Sequence, residues 1–146
     1  MRARVVVPVA VPAFEVISLN QRAHWANVHR QTQALRGRGM VAAQAVHGPH
    51  LRKAALTVSV IYPRTTRRRD VHNLMGTVKP LLDGMVDARV IPDDNDDHLV
   101  GPDLRVWHGG DRPEVDDALG TRLMGDLARP GTWLGFVFEF EGEAYR

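Results

Sequence analysis

The 146 residues include no cysteine. A disulfide framework, a thiolate metal site and a thiol nucleophile are therefore ruled out, and the chain fits an intracellular setting better than an oxidising one. No apolar run approaches the 18 or so residues that a membrane-spanning helix needs. The opening MRARVVVPVAVPAFEV has the basic start and apolar middle of a signal peptide. Two prolines and Glu15 interrupt it and no small-residue cleavage site follows, so it reads as a strand. Aromatic residues are few, at 6%, and Trp25, Trp107 and Trp133 read as core or dimer contacts rather than stacking platforms for bases. Net charge is only +2, but it is unevenly spread: basic residues crowd 22–38 and 64–69, acidic ones 93–97 and 111–117. Such segregation suits a phosphate-binding surface enclosing an acidic pocket, and equally a pair of solvated faces.

What is present is ordinary globular material, 44% hydrophobic and 25% charged, enough for one domain over 1–146. RVVVPVAVP is β-branched, with prolines suited to an edge strand. The polar stretch 18–48 opens on a possible cap, Ser18 or Asn20. It carries a patchy helical stripe through Trp25, Val28, Leu35, Val41, Ala42, Ala45 and Val46, broken near Gly37 and Gly39 into a helix and a second helical stretch. KAALTVSVIYP, 53–63, alternates as a strand and ends at Pro63. A helix over roughly 71–87 buries Leu74, Val78, Leu81, Leu82 and Met85. On its opposite face it sets His72, Gly76, Lys79 and Asp83, with a kink or restart expected at Pro80. A loop over 92–97, a strand through Leu104 and Val106, an uncertain 111–131 (short helix or mobile insertion) and a last strand, TWLGFVFEFEGE, complete the chain. This order predicts an α+β domain with helices on one face of a mixed or antiparallel sheet.

The chemistry concentrates in RRRDVHNL, 67–74, where three arginines abut Asp70, and in PDDNDD, 92–97. A helix of some 16 residues spans about 24 Å. Asp70 can therefore meet Asp93 and Asp94 only if the loop after the helix turns back or the Pro80 kink shortens the path. Carboxylates gathered this way would form an oxygen-rich site suited to magnesium, which uses one or two carboxylates and keeps several waters. Arginines beside it would hold phosphates.

RRRDVHNLMGTVKPLLDGMVDARVIPDDNDD, 67–97, resembles the signature of RusA-type Holliday-junction resolvases, especially versions carried by phages of actinobacteria. SLNQRAHW, 18–25, resembles the N-terminal loop of that group, and HLVGPDLRV, 98–106, its following strand. The resemblance implies a magnesium-dependent endodeoxyribonuclease, with manganese as an alternative, that acts as a homodimer on branched DNA. It also implies work in recombination, repair or phage genome processing, in the cytoplasm of a bacterium or phage-infected host. Asp70 and Asp94 would be the metal carboxylates, assisted by Asp93 and His72 and supported by Asn73. Lys79, Arg67, Arg68 and Arg69, together with Arg22 and Arg30, would contact DNA. The chain departs from the family pattern twice: the usual aspartate two residues after the first is His72, and the usual lysine six residues after it is Gly76. Imidazole suits manganese or zinc better than magnesium, and Lys79 could replace the missing lysine.

Each residue also has a plainer reading. Asp70 is a favoured residue type for capping a helix that starts near 71. Lys79 and Asp83 fit an i, i+4 surface pair. PDDNDD fails as an EF-hand, because His98 falls where glycine is required and Leu104 where the bidentate glutamate belongs. The histidines lack the cysteine partners or HExxH context of zinc sites. The rival functions are a junction-binding protein of the same fold that has lost cleavage through His72 and Gly76, and an acidic-loop interaction module unrelated to DNA.

Overall fold

A computed structural model of the chain describes residues 1–17, 25–62, 71–107, 123, 125, 127 and 133–145. The strands are β1 (Arg2–Pro12), β2 (Leu51–Ile61), β3 (Leu99–Val106) and β4 (Trp133–Ala144), and the helices are α1 (Trp25–Val46) and α2 (Met75–Asp87), with 3-10 turns at Ala13–Glu15 and Val71–Leu74. They build a single α+β domain around a mixed four-stranded sheet in the order β1-β4-β2-β3, with both helices packed on one face. β4 lies antiparallel to β1 and β2, and β3 runs parallel to β2. The crossovers β1-α1-β2 and β2-α2-β3 step the same way across the sheet. Crossovers of equal hand then place both helices on the same face.

The phenylalanines of β4 anchor the core. Alternate residues of a strand point to one face, and the register lines up three rows across the sheet: Val5, Phe140 and Leu56; Val7, Phe138 and Val58; Val9, Phe136 and Val60. All nine are buried, and Leu35 from α1 and Leu74, Val78, Leu81, Leu82 and Met85 from α2 close over them. On the opposite face, arginines of β1 and β2 pair with glutamates of β4, Arg4 with Glu139 at 2.9 Å and Arg52 with Glu143. Farther along that face Ala10, Ile61, Leu123 and Val137 form a second apolar cluster, against which Trp107 and Trp133 pack. Trp25 departs from the core expectation, being 75% exposed at the start of α1.

α1 is one continuous helix rather than two pieces. Gly37 lies on its exposed side, while Gly39 sits where α1 crosses α2: a Cβ built on it would lie 2.0 Å from the carbonyl oxygen of Leu81. The contact is reciprocal, since a Cβ on Gly84 would lie 2.0 Å from the carbonyl oxygen of Arg36. The helices therefore touch backbone to backbone. Close packing there offsets a propensity penalty of about 1 kcal/mol per glycine. α2 likewise runs through Pro80 without a break.

Polar contacts tie these pieces together. At the helix crossing Arg36 grips Asp87 through both carboxylate oxygens, at 2.6 and 2.8 Å. Hydrogen bonding to the guanidinium holds the Asp87 carboxyl below its ordinary 3.8, against a smaller opposing effect of desolvation. A carboxyl depressed in the folded state adds stability above its unfolded pKa and loses it as pH falls through the folded value. Asp87→Asn should therefore flatten the acid limb of stability below about pH 4, as urea melts at several pH values would show. Deeper in, the fully buried Thr77 hydroxyl donates to the carbonyl of Ile17 and accepts from its amide, both at 2.8 Å. Thr77→Val should lower stability by about 2 kcal/mol, because both Ile17 groups would stay buried without partners; denaturant unfolding measures it.

Among the described residues no helix is long and apolar enough to cross a membrane. The span 111–131 lies outside the described residues except for Leu123, Gly125 and Leu127, which are helical. Ser18, Asn20 and Pro63 lie outside them as well.

Candidate functional site

Asp70, Arg67, Arg68, Arg69 and Arg22 are outside the described residues. The site can be built from α2 and the acidic loop behind it. α2 ends in a Schellman-type turn, in which the Val90 amide donates to the Met85 carbonyl at 3.1 Å and the Arg89 amide to the Val86 carbonyl at 2.9 Å. Arg89 takes the left-handed conformation, φ 65°, at the position where glycine is usual. The chain reverses there. Val90 and Ile91 are buried, and the Leu51 amide donates to the Val90 carbonyl at 2.8 Å, which fixes the start of the loop against β2.

The loop then holds its own shape. Asp93 accepts the Asp94 amide through Oδ1 at 2.8 Å and the Asn95 side-chain amide through Oδ2 at 3.2 Å. Asn95 Oδ1 accepts the Asp97 amide at 3.1 Å, and the Asn95 carbonyl accepts the amides of His98 and Leu99 at 3.0 and 2.9 Å. Both oxygens of Asp93 are thus engaged inside the loop, whereas Asp94 points out of it.

Asp94 reaches α2. Lys79 Nζ donates to Asp94 Oδ2 and, at 2.7 Å, to Asp83 Oδ1 one turn farther along the helix. The Lys79 side chain is half exposed, while those of Asp83 and Asp94 are mostly covered, at 31% and 24%. Hydrogen bonding to Lys79 holds the Asp94 carboxyl below its usual range, with desolvation pulling the other way. For Lys79 the largest single influence is burial, which pushes the ammonium down. Hydrogen bonds to Asp83 and Asp94 and their charges outweigh it, so its pKa is raised. The two carboxylates share one cation.

The sequence reading placed His72, Gly76, Lys79 and Asp83 on one face, and only Lys79 and Asp83 keep company. His72 is exposed in the 3-10 turn that precedes α2, where three residues per turn instead of 3.6 shift the phase. Gly76 faces the chain after β1: a Cβ there would lie 2.9 Å from Ile17 Cγ2. Any side chain at 76 would have to displace Ile17. The cap position of α2 is Leu74, with no side-chain hydrogen bond, so the expected helix start at 71 moves to Met75. Asn73 is half-buried beside it. Arg30, on the first turns of α1, donates to Asn27 Oδ1 at 3.1 Å and stays exposed.

Asp83 is the residue that sequence reasoning left aside. Its spacing from Lys79 was visible, but a shared ammonium across the loop was not. Carboxylate oxygens are hard donors of the kind magnesium takes; here they hold the Lys79 ammonium. Among the described residues no three histidine, aspartate or glutamate side chains gather as a metal-ligand set. Asp93, Asp94 and His72 therefore do not form such a set by themselves.

No family model matches the chain, and no curated protein matches it. A solved structure of thiamine-monophosphate kinase from Stenotrophomonas maltophilia aligns over 97% of this chain and 32% of its own, with 11% identity and a TM-score of 0.24. The chain spans about a third of that enzyme's length, and at that TM-score the likeness says nothing about fold or activity.

Proposed function

We propose that this protein is a metal-dependent endonuclease of the RusA type, selective for four-way and other branched DNA and acting as a homodimer. The observation that carries the reading is the return of the acidic loop. The turn at Arg89 sends the loop back along α2, and Asp94 meets Lys79, only four residues, or about 6 Å of helix, from the first residue of α2. That end of α2 follows RRRD in the sequence. Asp94 thus lies beside the first half of α2 rather than beyond its far end.

Asp70 and Asp94 would hold the metal, with Asp93 and His72 assisting and Asn73 supporting the turn. Magnesium, or manganese where His72 contributes, would supply an activated water and charge neutralisation at the scissile phosphate. Lys79 and Arg67, Arg68 and Arg69 would position phosphates by charge-assisted hydrogen bonds, and Arg22 and Arg30 would extend the contact to the DNA arms. Two-fold symmetry would present two such sites to the symmetric strands of a junction.

A second reading, a protein that holds junctions without cutting them, is favoured by Gly76. Ile17 fills the space where the family's lysine would stand. Cleavage of an end-labelled four-way junction, set against linear duplex, with magnesium or manganese, separates the two. Paired symmetric cuts lost in Asp70→Asn are expected. Tight junction binding without cuts under either metal would replace the nuclease by the binder, and equal affinity for linear duplex would sink both.

A further inference from the structure

Two aromatic side chains near the start of α1 belong to neither apolar cluster: Phe14, 77% exposed on the 3-10 turn after β1, and Trp25, 75% exposed as the first residue of the helix. Phe14 is held in place by its neighbours. Its carbonyl accepts from the Gln31 side-chain amide at 2.8 Å, and the Val16 amide closes the turn on the Ala13 carbonyl at 3.2 Å. The next residue, Glu15, is buried and gripped through both carboxylate oxygens by Arg38. A turn fixed at these points presents a phenylalanine ring to solvent. Trp25 stands six residues before Gln31, about 9 Å along the helix axis, so the two rings share one end of the molecule. The charge that α1 leaves unneutralised there is positive. The helix has three arginines and no aspartate or glutamate. Asp87 neutralises Arg36 and Glu15 neutralises Arg38. Arg30, exposed and bonded to Asn27 and the Ala26 carbonyl, pairs with no carboxylate among the described residues.

We propose that Phe14 and Trp25 are stacking platforms for unstacked bases at the branch point of a DNA junction, with Arg30 on an adjoining phosphate. This rests on the selectivity for branched DNA proposed for this protein, and is independent of cleavage and of any metal. An aromatic ring on a fixed backbone has little conformational freedom left to lose on binding. A cation without a carboxylate partner favours a polyanion. The ligand that offers a π face and a phosphate together is a nucleotide whose base has left its stack. A continuous duplex shows only base edges in its grooves, whereas a branch point interrupts the stack. Phosphate contacts fix position but carry no sequence information. Stacking is equally tolerant of sequence, because every base has a π face, so the two rings would select for structure rather than sequence.

Fluorescence anisotropy of a labelled four-way junction, and of a linear duplex of the same length, with the full-length protein in EDTA tests this without a metal. Phe14→Ala and Trp25→Ala should each weaken junction binding about 10-fold, the scale of one lost base–aromatic stack, and leave duplex binding within about 2-fold. Arg30→Gln should weaken both. Phe14→Leu keeps an apolar side chain without a π face, and should lose nearly as much as Phe14→Ala. Trp25→Phe should keep junction affinity but lose the quenching of tryptophan fluorescence by the junction, because Trp107 and Trp133 are packed against the second apolar cluster. Both rings are exposed, so thermal melts of all the variants should match the wild type. Unchanged junction affinity in either alanine variant would overturn the proposal. Full affinity in Phe14→Leu, with Phe14→Ala sedimenting as a monomer where the wild type is a dimer, would replace the base by a second copy of the chain. Either result would leave the selectivity for branched DNA standing. A wild type that binds junction no better than duplex would overturn that reading as well.

Discussion

On the proposed nuclease reading, Asp94→Asn should reduce junction cleavage by more than about 100-fold, and Asp93→Asn by only about 10-fold, which is the range for residues that orient a metal ligand without being one. The two aspartates are adjacent in sequence and opposite in role. Asp94 leaves the loop to meet a cation, while both oxygens of Asp93 are turned inward to hold it. Asparagine at 93 keeps an oxygen for the Asp94 amide and loses only the acceptor facing Asn95. At 94 it removes the anion itself. Neither change should matter much to folding, because ion pairs with exposed partners contribute about 0–1 kcal/mol. Single-turnover cleavage rates alongside melting temperatures would test this. Equal losses in the two variants, or a loss at 94 that merely tracks unfolding, would remove Asp94 from the site.

That asymmetry was not legible in PDDNDD. Sequence favoured Asp94 over Asp93 only through resemblance, because an acidic run gives no sign of which oxygens its own backbone will claim. The strands and α2 were more readable, since a period of two or of 3.6 reports directly which side chains are covered. Phe136, Phe138 and Phe140 announced β4, and Leu74 through Met85 announced the buried stripe of α2. The strand order was invisible, because it depends on which strand β4 chooses to lie between. The start of α2 was misplaced because Val71–Leu74 winds as a 3-10 turn, and with it the face assigned to His72. The return of the loop is not encoded in PDDNDD itself. It depends on Arg89 taking a left-handed conformation that its residue type does not advertise.

Gly84→Ala should destabilise the protein by about 3 kcal/mol, whereas Gly37→Ala should stabilise it by up to about 1 kcal/mol. Both substitutions put the best helix former where the worst ordinary one stands, so local propensity predicts a gain twice over. Packing reverses the sign at one of them. A methyl group on Gly84 would lie 2.0 Å from the Arg36 carbonyl oxygen and 2.6 Å from the Met40 amide nitrogen, both backbone atoms, while nothing lies within 4 Å of the corresponding point on Gly37. A flexible side chain could move aside, but a helix backbone can yield only if α1 and α2 separate. Separation would loosen the grip of Arg36 on Asp87 and open the core beneath Leu35 and Leu81, both fully buried. Gly39→Ala should behave like Gly84→Ala for the reciprocal reason, and the pair should be far from additive, since the first alanine already forces the helices apart. Urea unfolding of the three single variants and the Gly39→Ala, Gly84→Ala double variant would measure this. Near-neutral effects at 39 and 84 would mean that the helices do not cross in contact, and α2 would then lose the support that fixes Lys79 and Asp83 relative to the sheet.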